Sequence, residues 1–286
     1  MQEVVVLSGK GGTGKTSIVG SFANLAKSKV LVDCDVDAAT LHLLLQPTIR
    51  EKHEFWSGRV AVINEQKCTQ CGLCQEQCRF AAINDFNVDA ISCEGCGFCS
   101  HICPTEAITM KENMAGHWFD SNTRYGSLVH AQLGIAQENS GKLVALVRQQ
   151  ARHMAEKEGA NYIISDGPPG IGCPVISSLS GANLALLVTE PTLSGIHDLE
   201  RVLGVCHHFG VPALVCINKY DINEDNTHQI EHYCLSHGVE IAGRIPFDNV
   251  VTKAMVAGLP VVEYSRNGVS YQIEKLWKLV LKLLTK

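Results

Sequence analysis

A glycine-rich loop joins an apolar run to a helical pattern near the start of the chain, and this junction constrains the fold more than any other feature. Glu3–Leu7 predicts a short buried strand, and Ser17–Lys27 predicts a helix with its apolar residues on one face. Residues 9–16 lie between them with the sequence GKGGTGKT, which satisfies G-x4-G-K-[ST]. Such a loop surrounds phosphate oxygens with backbone N–H groups at a helix N-terminus. We therefore predict a nucleotide-phosphate site within an α/β domain.

Two side chains of this loop have specific expected roles. Lys15 is expected to reach the β- and γ-phosphates, and the Thr16 hydroxyl is expected to bind Mg²⁺. The residues predicted to contact the nucleotide here are Gly9, Lys10, Gly11, Gly12, Thr13, Gly14, Lys15, Thr16 and Ser17.

Strands and helices alternate again in the second half of the chain. The pattern predicts strands at Tyr162–Ser165, Leu184–Val188, Ala213–Ile217 and Glu240–Ile245, with helices between them and a last helix from Val269. This alternation indicates right-handed βαβ crossovers and a parallel sheet with helices on both faces. The predicted fold class is therefore an α/β P-loop NTPase whose main domain comprises residues 1–58 and 112–286.

Two cysteine runs interrupt the alternating pattern and repeat after 25 residues. They are Cys68-x2-Cys71-x2-Cys74-x3-Cys78 and Cys93-x2-Cys96-x2-Cys99-x3-Cys103-Pro104. The chain opens on the strand and loop without a secretory signal pattern, so we expect a reducing cytoplasm and metal ligation rather than disulfides. Two zinc sites are the alternative, but zinc sites use paired C-x2–4-C spacings rather than this triple.

The cysteine runs resemble those of bacterial two-cluster ferredoxins, in which the fourth cysteine of each run ligates the other cluster. The resemblance implies an inserted α+β ferredoxin domain over residues 59–111 that carries two [4Fe–4S] clusters. It assigns the first cluster to Cys68, Cys71, Cys74 and Cys103, and the second to Cys93, Cys96, Cys99 and Cys78. One departure is Arg79, which stands where the first run would carry proline.

The loop carries an additional lysine, Lys10, and its form KGGTGKT resembles the deviant Walker A motif of the MinD/ParA/Mrp family. The likeness extends over residues 1–50 and 140–286. In that family this lysine crosses a dimer interface to the partner's phosphates, so the resemblance implies a homodimer, or a dimer with a close paralogue, when ATP is bound. It makes Lys10, Lys15 and Asp35 catalytic, with Asp35 orienting the attacking water. Asp166, in the segment DGPPG, would hold Mg²⁺ through water.

Base recognition leaves two interpretations open. Residues 218–221 have the sequence NKYD and fit N-K-x-D, which recognises guanine in GTPases. The family also places an asparagine at this strand end, and residues 245–248 resemble its adenine-side loop. We favour ATP, with Asn218, Pro246 and Asp248 on the base side.

Charge and hydropathy restrict the partners. The net charge of −5 and the pI near 6.2 provide no basic field for nucleic acid. No apolar run is long enough to span a membrane. The last helix has an apolar stripe opposite Lys275, Lys278, Lys282 and Lys286. We interpret the stripe as core packing, with membrane contact as the alternative.

Cys173 follows the DGPPG segment, at the place where the nitrogenase iron protein carries a cluster ligand. That protein's second cysteine ligand has no counterpart here, and a buried inert thiol is the alternative.

Three functions fit these predictions. In the first, nucleotide binding docks the dimer and controls low-potential electron transfer to a redox or metalloprotein client. The second is a maturation factor that builds or carries a metal or Fe–S cluster for a client. The third is a ParA-like positioning ATPase whose clusters are sensors, and the lack of a basic field for DNA weighs against it. Eight ligands suited to permanent clusters favour electron transfer.

Overall fold

The computed structural model of the chain describes residues 1–134, 139–266 and 268–285. Its strands are β1 (Gln2–Ser8), β2 (Lys29–Asp33), β3 (Thr48–Ile63), β4 (Ile83–Asn84), β5 (Asn87–Val88), β6 (Ile108–Thr123), β7 (Gly126–Leu133), β8 (Tyr162–Pro169), β9 (Leu184–Thr189), β10 (Ala213–Asn218) and β11 (Glu240–Ile245). Its helices are α1 (Lys15–Leu25), α2 (Leu41–Leu45), α3 (Leu73–Glu76), α4 (Phe98–Ile102), α5 (Ser140–Glu158), α6 (Cys173–Leu179), α7 (Leu193–His208), α8 (Glu224–Ser236), α9 (Asn249–Val256), α10 (Val261–Tyr264) and α11 (Gly268–Leu284).

The described residues form two compact units. The first unit, which we call the sheet unit, comprises Met1–Lys52, Trp118–Gln132 and the described residues from Ser140 onward. The second, the cysteine unit, comprises His53–His117 and the described residues of 133–139. The predicted insertion at residues 59–111 lies within the cysteine unit.

A nine-stranded sheet has the order β11-β10-β9-β1-β8-β2-β7-β6-β3. Strand β1 pairs in parallel with both β8 and β9, and the parallel pairing continues outward to β11 on one side and to β7 on the other. The four strands predicted after residue 143 are all present in this parallel part. Because β1 is central, the loop that follows it lies at the carboxyl edge of the sheet, where α/β proteins bind ligands.

Contrary to the prediction, the sheet is not parallel throughout, because the strands at one edge, β7, β6 and β3, do not all run in the same direction. Only two residues join β6 to β7, so these neighbouring strands must run antiparallel. The Asn64 N–H donates to the Ala107 carbonyl at 2.7 Å, which places the end of β3 beside the start of β6. Residues 48–52 of β3 are all exposed and carry few apolar side chains, so periodicity gave no signal for an edge strand.

Helices pack on both faces of the sheet unit because successive β1 side chains alternate between the faces. Val4 and Val6 join α1 and α11 in one apolar cluster, whereas Val5 and Leu7 join α6, α7 and α8 in another. Phe22 and Trp277 pack with ring centroids 4.8 Å apart. The predicted helices on both faces are therefore confirmed.

The apolar stripe of α11 faces this core. Its buried side chains are Ile273, Leu276, Trp277, Val280 and Leu284. This favours core packing over membrane contact for the stripe, while Lys286 of the predicted basic face lies outside the described residues. Among the described helices, none combines the length and the apolar character that a membrane crossing requires.

The cysteine unit has a much smaller apolar core. Its buried members are Ala61, Cys74, Ile83 and Ile108, and Cys78, Cys93, Cys99 and Cys103 pack against them with part of their surface exposed. Helices α3 and α4 follow Gly72 and Gly97, whose φ angles of 82° and 75° lie in the left-handed region. Glycine adopts this region without the steric cost that a Cβ brings, which allows each helix to begin abruptly.

Candidate functional site

The glycine-rich loop lies between β1 and α1, as the sequence predicts. Gly14 has a φ of 94°, and a Cβ at this position would collide with the Asn218 amide. Lys15 and Thr13 are buried, with relative exposures of 6% and 2%. The predicted contacts Gly9, Gly11 and Gly12 also lie in this loop, and Ser17 follows in the first turn of α1, where its hydroxyl donates to the Met255 sulfur at 3.2 Å.

The predicted magnesium ligands meet at the carboxyl end of β8. The Thr16 hydroxyl donates to Asp166 Oδ2 at 2.7 Å. Asp166 Oδ1 and Thr13 Oγ1 are buried, and neither has a hydrogen-bond partner among the described residues. Hard oxygen ligands suit Mg²⁺, and unpartnered buried oxygens beside a phosphate loop fit a site completed by Mg²⁺ and nucleotide.

Burial raises the pKa of Asp166 to about 6, against the opposing charge of Lys15. Burial likewise raises the pKa of Asp35, and Lys15 opposes that shift too. Carboxylates that are destabilised in the absence of a cation are well suited to binding one.

Asp33 shapes the loop that carries Asp35. Its carboxylate, fully buried, accepts the backbone N–H groups of Asp35 and Leu41, each at 3.1 Å. Asp35 itself is only half-buried. The two carboxylates therefore have separate tasks: Asp33 fixes the backbone, and Asp35 remains accessible at the edge of the site.

Lys10 makes contacts within its own chain. Its ammonium lies 2.6 Å from Glu190 Oε1 and 3.2 Å from each of the Thr192 and Ser194 hydroxyls. The Lys219 ammonium donates to Glu190 Oε2 at 3.0 Å and to the Gly12 carbonyl at 3.2 Å. Burial acts to raise the pKa of Glu190, but the hydrogen bonds from the two lysines outweigh it and hold this pKa below its usual range. Glu190 thus holds two cations beside the phosphate loop.

Asn218 and Asp248, which the sequence predicts to lie near the base, form hydrogen bonds with backbone groups close to them. The Asn218 amide donates to the Thr13 carbonyl at 2.7 Å, which fastens the phosphate loop to β10. The Asp221 carboxylate accepts the Phe247 N–H at 2.7 Å, and Asp248 accepts the Val250 N–H at 2.8 Å at the start of α9. Pro246 lies between the end of β11 and Asp248. Asp221, the guanine-recognising position of N-K-x-D, is thus engaged by backbone.

Two cavities in the cysteine unit divide the eight thiols of the two runs. A cavity of about 350 Å³ is lined by Cys78, Cys93, Cys96 and Cys99. A smaller cavity, of about 20 Å³, is lined by Cys68, Cys71, Cys74 and Cys103. In each cavity the fourth cysteine comes from the other run, which is the crossed arrangement implied by the resemblance to ferredoxins.

The backbone of the two runs repeats with the sequence. The Ala82 N–H donates to Cys78 Sγ at 3.4 Å, and the equivalent Ala107 N–H donates to Cys103 Sγ at 3.3 Å. Positive φ angles recur at equivalent positions, in the pairs Gln70 and Gly95, Gly72 and Gly97, and Ala81 and Glu106. The repeat is therefore conformational as well as compositional.

Within residues 1–134, 139–266 and 268–285, no three His, Cys, Asp or Glu side chains converge as ligands of one metal ion. A cubane places its four thiolates around a four-iron core rather than around one atom. The donor set of each cavity, four thiols with N–H groups directed at sulfur, fits such a group.

Cys173 is exposed at the start of α6. It lies against α5, where a Cβ added to Gly141 would come within 3.1 Å of the Cys173 Cβ. The alternative interpretation as a buried thiol is therefore wrong. The other four cysteines outside the runs, Cys34, Cys206, Cys216 and Cys234, are buried.

Sequence patterns missed Glu190, Thr192 and Ser194 as members of the site, and the NKYD motif contained Lys219 without indicating its contact with Glu190. Glu190 directly follows β9, a parallel neighbour of β1. A carboxylate at that strand end could have been assigned to the site, because carboxyl ends of neighbouring parallel strands meet at one edge.

Residues 4–261 match the family model of the CobQ/CobB/MinD/ParA nucleotide binding domain. An uncharacterised protein of Methanocaldococcus jannaschii is 33% identical over 281 residues, covering 97% of this chain and 96% of that protein. The septum site-determining protein MinD of Thermotoga maritima is 23% identical, covering 96% and 85%.

Among solved structures, MinD of Pyrococcus horikoshii complexed with Mg-ADP is similar with a TM-score of 0.60 and 19% identity, over 99% of this chain and 96% of that chain. At this identity the likeness shows the fold. ATP and Mg²⁺ fit the site described above.

Proposed function

Because the chain belongs to the CobQ/CobB/MinD/ParA nucleotide-binding family and is a P-loop ATPase, we propose that it couples ATP hydrolysis to electron transfer through two [4Fe–4S] clusters. The observation that carries this proposal is the division of eight thiols between two cavities in the crossed arrangement. A bound cluster would supply one-electron chemistry at low potential.

The residues of the sheet unit supply the nucleotide chemistry. Lys15 would neutralise the phosphates. The Thr16 hydroxyl, which donates to the Asp166 carboxylate at 2.7 Å, would hold Mg²⁺, and Asp166 would hold it through water. Asp35 orients the attacking water from its half-buried position at the edge of the site. These groups are ordered by backbone contacts before nucleotide binds, so little reorganisation is required in the transition state.

Lys10 makes the ATPase responsive to a second copy of the chain. To reach a partner's phosphates, its ammonium must leave Glu190, 2.6 Å away. Lys219 can continue to neutralise Glu190 after Lys10 has left, since it binds the other carboxylate oxygen at 3.0 Å. The proposed active state is therefore an ATP-bound dimer, with a homodimer as the simplest form.

A MinD/ParA-like positioning ATPase is the second candidate, and the similarity to septum site-determining proteins favours it. Septum site-determining proteins match more than nine-tenths of this chain. For the sheet unit alone this function is the better supported of the two. In this function the clusters would serve as sensors. The chain has a net charge of −5 and so no basic field for DNA, which is why we place this function second for the whole chain. A cluster carrier is a weaker candidate, because Cys173 is the one exposed thiol outside the two runs among the described residues.

The test follows reoxidation of dithionite-reduced, anaerobically prepared protein by a viologen dye, with ATP, with ADP and without nucleotide. We expect ATP to change the rate, and we expect Lys15→Ala to remove that change. If the protein dimerises only with ATP but is reoxidised at the same rate with ATP, with ADP and without nucleotide, the positioning function would be favoured. Loss of iron to an apo-ferredoxin acceptor, only with ATP, would favour the carrier.

A further inference from the structure

A cavity of about 620 Å³ lies in the sheet unit, away from the phosphate loop. Its lining comes from α7 (residues 200–207), from residues 211–213 at the start of β10, and from residues 233–239 at the end of α8. Strands β1, β9 and β10 run in parallel, and the phosphate loop follows the end of β1. The start of β10 therefore lies at the opposite edge of the sheet from the nucleotide.

The cavity has the composition of a small-molecule site. Leu203 and Val211 are buried beneath it, and the rings of Tyr233 and His237 stack 4.1 Å apart at 26° along its wall. Ligand sites are commonly cavities of about 300–1,000 Å³ with apolar and aromatic walls and few polar groups. Stacked flat rings favour a flat ligand.

Gly204 lines the cavity without placing a side chain in it. It lies inside α7, where glycine costs about 1 kcal/mol relative to alanine. A Cβ at this position would meet no atom within 4 Å, so no neighbouring group requires glycine for steric reasons. A larger side chain here would enter the cavity without displacing the helix.

Glu200 gives the cavity its charge. Within the described part of the chain, the lining contains this one carboxylate and no lysine or arginine, and Glu200 itself has no ion-pair partner. Burial, and then the nearby Glu200 charge, raise the pKa of the Tyr233 phenol, in agreement with a carboxylate close to that ring. An unpaired carboxylate beside flat apolar walls is complementary to a planar cation.

We propose that this cavity binds a small planar organic cation, with its ring against Tyr233 and His237 and its cationic nitrogen at Glu200. The site is separate from the ATPase centre and does not depend on the proposed redox function.

The test uses three isosteric probes, benzamidine, benzamide and benzoate, titrated calorimetrically into the full chain at pH 8. We expect benzamidine to bind about tenfold more tightly than benzamide, and benzoate to bind least. Glu200→Gln should remove the preference for the cation, whereas the control Glu156→Gln, at an exposed position of α5, should retain it. Gly204→Leu should remove binding of all three probes while the ATPase rate stays unchanged and the thermal unfolding temperature does not fall.

Equal affinities for the three probes, or a cation preference that survives Glu200→Gln, would overturn the proposal. Tighter binding of N-acetyl-arginine amide than of benzamidine would overturn the assignment to a small aromatic ligand and indicate an arginine side chain of a protein. If Gly204→Leu fails to fold, the Glu200→Gln titration decides alone.

Discussion

The phosphate site and the cysteine unit differ in what holds them in place. Asp166 belongs to strand β8, and Lys15 begins the helix that follows the loop after β1. The two faces of their sheet are covered by large apolar clusters, and the neighbouring loops are fixed by backbone hydrogen bonds. In the described part of the cysteine unit eight apolar residues are buried, four of them alanines, and the thiols of the two runs line two cavities. A unit with so small a core needs additional links to be stable. We infer that the first region is formed before its ligand binds, and that the second depends on the clusters proposed for it.

The largest effect should come from Lys15→Ala. Removing the main cation of the phosphate loop should weaken ATP binding by at least about 100-fold, because several charge-assisted hydrogen bonds are lost together. Iron content should not change, since the two regions are proposed to be held independently. Fluorescent-nucleotide titration and iron analysis on the same sample test both statements, and concurrent loss of iron would break the comparison.

Cys103→Ser should damage the cluster assigned to Cys68, Cys71 and Cys74 and leave the other largely intact. Cys78→Ser is the matched variant, since Cys78 occupies the equivalent position in the first run and lines the other cavity. Electron paramagnetic resonance of the reduced proteins should therefore lose a different signal in each. If Cys103→Ser removes the signal expected for the Cys93 cavity, the crossed assignment is wrong.

Asp35→Ala should bind ATP almost normally and hydrolyse it about 100-fold more slowly, because orientation of water acts in the transition state. Asp37→Ala is the control, since Asp37 is an exposed carboxylate two residues away. Single-turnover hydrolysis measured beside equilibrium binding separates the two effects. A weaker affinity without a slower chemical step would assign Asp35 to binding.

The smallest effect concerns stability and pH. Burial raises the pKa of Asp166 to about 6, so the folded protein holds a proton that the unfolded chain releases between pH 4 and 6. Stability therefore falls as pH rises through this window. Asp166→Asn cannot titrate and lacks this loss. Its free energy of unfolding should therefore rise relative to that of the parent, by on the order of 2 kcal/mol, as pH increases from 4 to 7. Urea unfolding without Mg²⁺ or nucleotide measures the gain, and a pH-independent difference would contradict the assigned cause.

Local patterns predicted the parts of the molecule that depend on neighbouring residues. The phosphate loop and its flanking elements follow from one short motif, and the partition of the thiols was implied by the resemblance of the two runs to those of ferredoxins. The lysine–glutamate contacts could not be predicted, because Lys10 and Glu190 are distant in sequence and meet only through the order of the strands. The edge strands β3 and β6 were missed because their polar residues obscure a two-residue period.

Comparing the protein before and after removal of iron tests the central claim most directly. Anaerobically prepared protein should contain about eight iron and eight sulfide per chain. After chelation, amide hydrogen exchange should accelerate through residues 68–108 and stay slow in β1 and α1. Bound zinc in place of iron, or protection of residues 68–108 that persists after the metal is removed, would contradict the account.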